Sequence, residues 1–92
     1  KANYLDEFIG EVVRERPGLK SVILHCGAVN TIDLTAMEML EKLNADLLQQ
    51  DIKLHLSEVK IPVKSLLEKA HFLPELGGQL YMSHLQAFQD NC

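Results

Sequence analysis

Segments typical of helices alternate with segments typical of strands along the whole chain, and this alternation limits the fold more than any other feature. In the helical segments apolar residues recur every three or four positions, and these segments are 4–13, 34–50, 62–70 and a last one that begins after Ser83. The strand-like segments are short apolar runs at 21–26, 52–57 and 79–82. Because each connection between strands contains a helix, the strands must pair in parallel. The sequence therefore predicts an α/β fold with a mostly parallel sheet flanked by helices.

The chain is long enough for one core only. It has 92 residues, so we interpret residues 1–92 as a single domain. Three strands make a thin sheet, and the first predicted helix carries an apolar face that a sheet must cover. The first residue is Lys1 and not a methionine. We therefore expect one or two further strands before Asn3 in a longer protein, which makes the domain incomplete at its N-terminus.

Charge and cysteine content argue against several classes of protein. The chain has 9 basic and 13 acidic residues and a formal net charge of −4, so it gains little from binding nucleic acid phosphates. No apolar run approaches the roughly 18 residues that a membrane span requires. Two cysteines, Cys26 and Cys92, do not make a disulfide framework, which favours a reducing compartment.

Candidate catalytic and metal-binding side chains are few. Cys26 ends a strand, but a nucleophilic thiol needs a base held against it, so we interpret it as a buried, inert residue. His25 and His55 occupy matching places in two strands, where two imidazoles can hold a metal ion only with further ligands. His71 and His84 stand apart from them in sequence. We predict a non-catalytic domain without metal or cofactor; a small thiol or metal enzyme is the distant alternative.

The start of the second helix attracts anions through its free N–H groups. Asp33 already places a carboxylate there, which favours a helix cap over an anion site. Two residues could supply the N-cap of this helix: Asp33 itself, or Thr35 in a capping box with Glu38.

The residues from Ser21 to Ala36 resemble the signature of STAS domains, which occur in sulfate transporters and in antagonists of anti-sigma factors. The shared pattern is an apolar strand, a short loop, an Ile-Asp pair and a helix start. Asp51–Leu54 and Val59–Val63 look like the family's next strand and helix start, and Ala2–Phe8 looks like the first helix of its SulP-type branch. The resemblance implies a STAS-like layered fold, the fold of the anti-sigma-factor antagonists.

The two branches imply different functions. In the antagonists the residue after the Asp is a phosphorylated serine or threonine; here it is Leu34, which leaves Thr35 as the phosphorylation candidate. The SulP-type branch carries the domain as the tail of a multi-span anion transporter. The resemblance therefore implies a cytosolic regulatory or interaction domain of a SulP-type sulfate or anion transporter, at the cytoplasmic face of the cell membrane. The alternative is a stand-alone antagonist in a partner-switching pathway.

The partners implied are other proteins and not nucleic acid. They are the transmembrane part of the same transporter chain, a second copy of the domain, or a soluble regulator such as the acyl carrier protein that some relatives recruit. Asp33, Leu34 and Thr35 at the helix start form one candidate site for an anion or a partner. An acidic partner would need a basic patch, for which the candidates are Lys60, Lys64 and Lys69. His25 stands where many such domains carry an Asp, so no role is transferred to it.

Overall fold

The structure is a computed structural model that describes the backbone of residues 2–92 and the side chains of residues 4–92. The elements in chain order are α1 (Ala2–Glu15), β1 (Ser21–His25), α2 (Leu34–Leu48), β2 (Lys53–Ser57), α3 (Ile61–Lys69), a 3-10 turn (Leu73–Glu75) and α4 (His84–Asn91). The α/β class and the order of the helices are confirmed. The strands expected before Asn3 lie outside the described residues.

The sheet consists of β1 and β2, which pair in parallel from Ser21 opposite Lys53 to His25 opposite Ser57. Parallel pairing follows from the crossover through α2 between the two strands. The predicted parallel direction is thus confirmed for this pair.

The third predicted strand, 79–82, is shorter than expected: it is reduced to one parallel bridge between Leu80 and Leu56. The segment still bonds to β2, because Leu56 donates its N–H to the Gln79 carbonyl and accepts a bond from the Tyr81 N–H. Before it, a Cβ at Gly78 would collide with the Leu54 carbonyl, so only glycine admits this approach. After it, Ser83 begins α4, which leaves no length for a full strand.

The helices form layers on both faces of the sheet. Since side chains alternate along a strand, Leu54 and Leu56 of β2 point into a core shared with α2 and α3. The intervening His55 and Ser57 face the other way, toward α4, where Ser57 contacts His84. Helix α1 packs against α2 and contributes Ile9 to the buried core. The core of buried apolar side chains therefore lies on one side of the sheet.

The helix starts follow the sequence signals. Asp33 Oδ1 accepts a hydrogen bond from the Ala36 N–H at 2.8 Å. Helix α2 is therefore capped by Asp33 and not by the alternative capping box at Thr35. Ser83 Oγ accepts from the Gln86 N–H at 3.2 Å and caps α4. Pro62 lies in the first turn of α3, where its missing N–H is not needed.

Candidate functional site

Three helices begin at the same edge of the sheet. Helix α2 follows β1, α3 follows β2, and α4 follows the segment that runs parallel to β2, so all three start at the carboxyl ends of the strands. Each presents a large apolar side chain from its first turn: Leu34 is 74% exposed, Ile61 66% and Leu85 63%. In open α/β sheets this edge is where partners and ligands bind.

The starts of α3 and α4 border a shallow depression of about 610 Å³. We call it the carboxyl-edge surface and define it by six of its lining residues: Glu58, Lys60, Ile61, Met82, His84 and Leu85. Met82 adds a third exposed apolar side chain to Ile61 and Leu85. Clustered exposed apolar side chains of this kind, surrounded by polar groups, mark interaction surfaces.

A pair of histidines lies at this surface. The ring of His25, at the end of β1, contacts the ring of His84 edge to face with 4.7 Å between centroids. Glu58 Oε1 lies 3.1 Å from His25 Nε2, and Ser57 Oγ lies 2.6 Å from His84 Nδ1. Four side chains from β1, β2, the loop after it and α4 thus form one connected polar cluster.

This cluster corrects the interpretation that paired His25 with His55 and set His84 apart. The register places His25 opposite Ser57, whereas His55 lies opposite Ile23, two residues away along the strand. The companion of His25 is His84, 59 positions later in the chain. The Ser83 cap signalled where α4 begins, but no pattern in the sequence indicated that this start contacts the end of β1.

His55 has a structural role. It is 3% exposed, and its Nδ1 accepts a bond from the Gln79 N–H at 3.0 Å, which holds the 77–81 segment against β2. Nδ1 must therefore be unprotonated, and the proton is on Nε2, which is buried without a partner. Burial lowers the pKa of His55 below its ordinary value, and the positive charge of Lys53 lowers it further.

Cys26 is buried, and its Sγ lies 3.5 Å from the Leu24 carbonyl oxygen. Burial raises the pKa of this thiol, which disfavours the nucleophilic thiolate. Within the described residues, no group of three or more His, Cys, Asp or Glu side chains is arranged to hold a metal ion. Across residues 2–92, no helix is both long enough and apolar enough to cross a membrane.

At the start of α2, Asp33, Leu34 and Thr35 are all exposed. The Asp33 carboxylate already accepts the hydrogen bond of the Ala36 N–H, so an incoming anion would meet a negative charge there. Thr35 takes no part in the cap, and its side chain faces solvent.

The three candidate lysines are divided between two places. Lys60 occupies the N-cap position of α3 at the carboxyl edge without a side-chain capping bond. Its Nζ donates to Asn30 Oδ1 at 2.6 Å, which ties the loop before α2 to the start of α3. Lys64 lies one turn further along the helix, and its amide N–H donates to the Lys60 carbonyl. Lys69 lies in the last turn, about 13 Å from Lys60 along the axis. The structure brings Lys60 and Lys64 together and leaves Lys69 at the opposite end.

Comparison with known proteins identifies the family. Searches among curated proteins and among solved structures gave no significant match. The STAS domain family matches residues 1–87, which is nearly the whole chain. The layered α/β architecture agrees with that match, and the chain belongs to the STAS domain family.

Proposed function

We propose that this STAS domain is a non-catalytic protein-interaction domain and that it docks its partner on the carboxyl-edge surface. The observation that carries the proposal is the exposure of three apolar side chains that line this surface, Ile61, Met82 and Leu85. Three helices that each expose an apolar first-turn residue at the same edge leave apolar area that a partner would remove from water.

The surface suits docking because its parts are held in place. The Lys60–Asn30 bond joins two of the loops, and Ser57 joins β2 to α4 through His84. A surface that is ordered before binding loses less conformational entropy when a partner arrives.

We propose further that the domain works at the cytoplasmic face of the membrane, as part of a SulP-type sulfate or anion transporter, and regulates or assembles that transporter. Two sequence features support this placement: the resemblance of Ala2–Phe8 to the first helix of that branch, and Leu34 in place of a phosphorylated residue. The partner would then be the transmembrane part of the same chain. An acyl carrier protein and a second copy of the domain are the other occupants, and Lys60 and Lys64 are the positive charges that an acidic partner would meet.

The test uses the full-length transporter carrying Ile61→Asp or Leu85→Asp. A buried carboxylate at the interface would weaken docking, so we expect altered anion uptake or surface abundance and loss of cross-links between domain and transmembrane part. Ser65→Asp is the matched control, since it adds the same charge at an exposed position of α3 beyond the edge. Wild-type uptake, abundance and cross-links in both edge variants would refute the proposal. Cross-links to an acyl carrier protein or to a second copy would keep the surface and change its occupant.

The second candidate function is a stand-alone anti-sigma-factor antagonist. It is favoured by one observation, the solvent-facing Thr35 side chain outside the helix cap. Incubation with anti-sigma-factor kinases followed by mass spectrometry decides it, with Thr35→Ala as the control. Stoichiometric phosphate on Thr35 would support the antagonist function over the transporter function. An unmodified Thr35 would rule out the antagonist function.

A further inference from the structure

Two histidine rings meet at the carboxyl-edge surface. His25 belongs to the end of β1 and His84 to the first turn of α4, and their rings are in edge-to-face contact. Histidine is the side chain that ordinarily changes charge between about pH 5 and 8. When both rings are neutral, the contact is an ordinary packing interaction that holds the start of α4 against the sheet.

Acid changes this contact from attractive to repulsive. A first proton on His25 is compensated by Glu58, whose carboxylate lies 3.1 Å from the His25 Nε2. A second proton on His84 has no carboxylate within its contacts, because its Nδ1 meets only the Ser57 hydroxyl. Two positive rings with centroids 4.7 Å apart then repel each other, and one carboxylate cannot neutralise both.

The surrounding charges do not relieve this repulsion. The loop after β2 contributes Glu58, already paired with His25, and Lys60, which is positive and bonded to Asn30. Helix α4 has no acidic residue in its first turn. Its one acidic residue, Asp90, lies near the far end and accepts bonds from Tyr81 and Gln86. Helix α3 offers Lys64 as its nearest further charge, which is also positive.

We propose that the His25–His84 pair is a pH switch, in which protonation of both rings separates the first turn of α4 from the sheet. Its regulatory meaning rests on the proposed function. Met82 and Leu85 flank His84 and line the depression together with Ile61. Displacement of α4 would therefore separate the first two apolar side chains from Ile61. Docking would then be confined to neutral and alkaline pH.

The experiment measures the switch without any partner. The amides of Gln86 and Ala87 bond to Ser83 in the first turn of α4, so their hydrogen-exchange protection, corrected for the intrinsic pH effect, reports whether this turn is formed. We expect protection in the wild-type protein to fall roughly tenfold between about pH 7.5 and about pH 5.5. His84→Asn cannot be protonated and keeps an acceptor for Ser57, so it should hold its protection constant. His25→Asn should do the same, while Glu58→Gln should move the loss to lower pH, because His25 then lacks the carboxylate that favours its proton.

Controls separate this switch from the other histidines. His71→Asn removes an exposed histidine outside the cluster and should behave as the wild type does. His55→Asn should also leave the loss in place, since the hydrogen bond of His55 goes to the Gln79 N–H and not to the His25–His84 pair. An equal fall of protection in His84→Asn and in the wild type would overturn the switch, and so would wild-type protection that does not change with pH. If the switch operates but Ile61→Asp and Leu85→Asp dock normally, the proposed function fails and the switch remains.

Discussion

The two faces of the sheet are built from alternate residues of the same strands and have opposite character. On one face Leu54 and Leu56 are fully buried among apolar side chains of α2 and α3. On the other, His55 and Ser57 are just as buried but meet polar groups of the 77–81 segment and α4. Burial alone therefore does not describe this core. The apolar face gains its stability from excluded water, and the polar face gains it from hydrogen bonds that depend on protonation.

The largest expected effect is on the apolar face. Leu56→Ala removes a buried side chain and leaves a cavity, so the free energy of unfolding should fall by about 2–5 kcal/mol. Leu48→Ala is the control, because Leu48 is 43% exposed and its truncation should cost much less. Urea denaturation followed by circular dichroism measures both. Equal losses in the two variants would mean that the apolar face is not the main source of stability.

Asn44 is the polar exception in the apolar layer. It is buried in α2, donates to the Glu75 carbonyl at 2.7 Å and accepts from the Gly77 N–H at 2.9 Å. Asn44→Leu keeps the branched shape of the side chain but leaves both backbone groups unpaired, which should cost about 2–4 kcal/mol. The same denaturation experiment checks this value. A stability equal to that of the wild type would show that the loop at 75–77 finds other partners.

The difference between the faces also explains what the sequence could predict. Periodicity indicated the helices, the two strands and the burial of Cys26, because these follow from local patterns of apolar residues. The 79–82 segment has the pattern of a strand, yet Ser83 caps a helix immediately after it, and the competition between the two leaves one bridge. The His25–His84 contact depends on where the third parallel segment lies. Spacing along the chain does not contain that information.

A smaller effect is expected at the N-cap of α2, which lies at the carboxyl edge of the sheet. Asp33→Ala removes the bond to the Ala36 N–H and should lower the free energy of unfolding by about 1 kcal/mol. Thr35→Ala should change it by less than about 0.5 kcal/mol, because Thr35 does not form the cap. Thermal unfolding of the two variants distinguishes them. A larger loss at Thr35 than at Asp33 would restore the capping box as the true start of the helix.

The smallest effect at mild acidity belongs to His55, and it appears only on the polar face. Burial and Lys53 lower the pKa of His55 in the folded protein, so the unfolded chain takes up this proton first. The contribution of His55 to the free energy of unfolding is therefore fully present above the ordinary histidine pKa of about 6.5. It is lost as the pH falls toward the lowered pKa of the folded protein. Near pH 6 the loss is at most about 0.8 kcal/mol, since the histidine of the unfolded chain is only partly protonated there. His55→Asn keeps an acceptor for the Gln79 N–H and cannot titrate, so its stability relative to the wild type should improve steadily from about pH 7 to about pH 5. Denaturation across that range measures the difference, and a constant difference would mean that His55 takes up its proton equally well in the folded and unfolded chains.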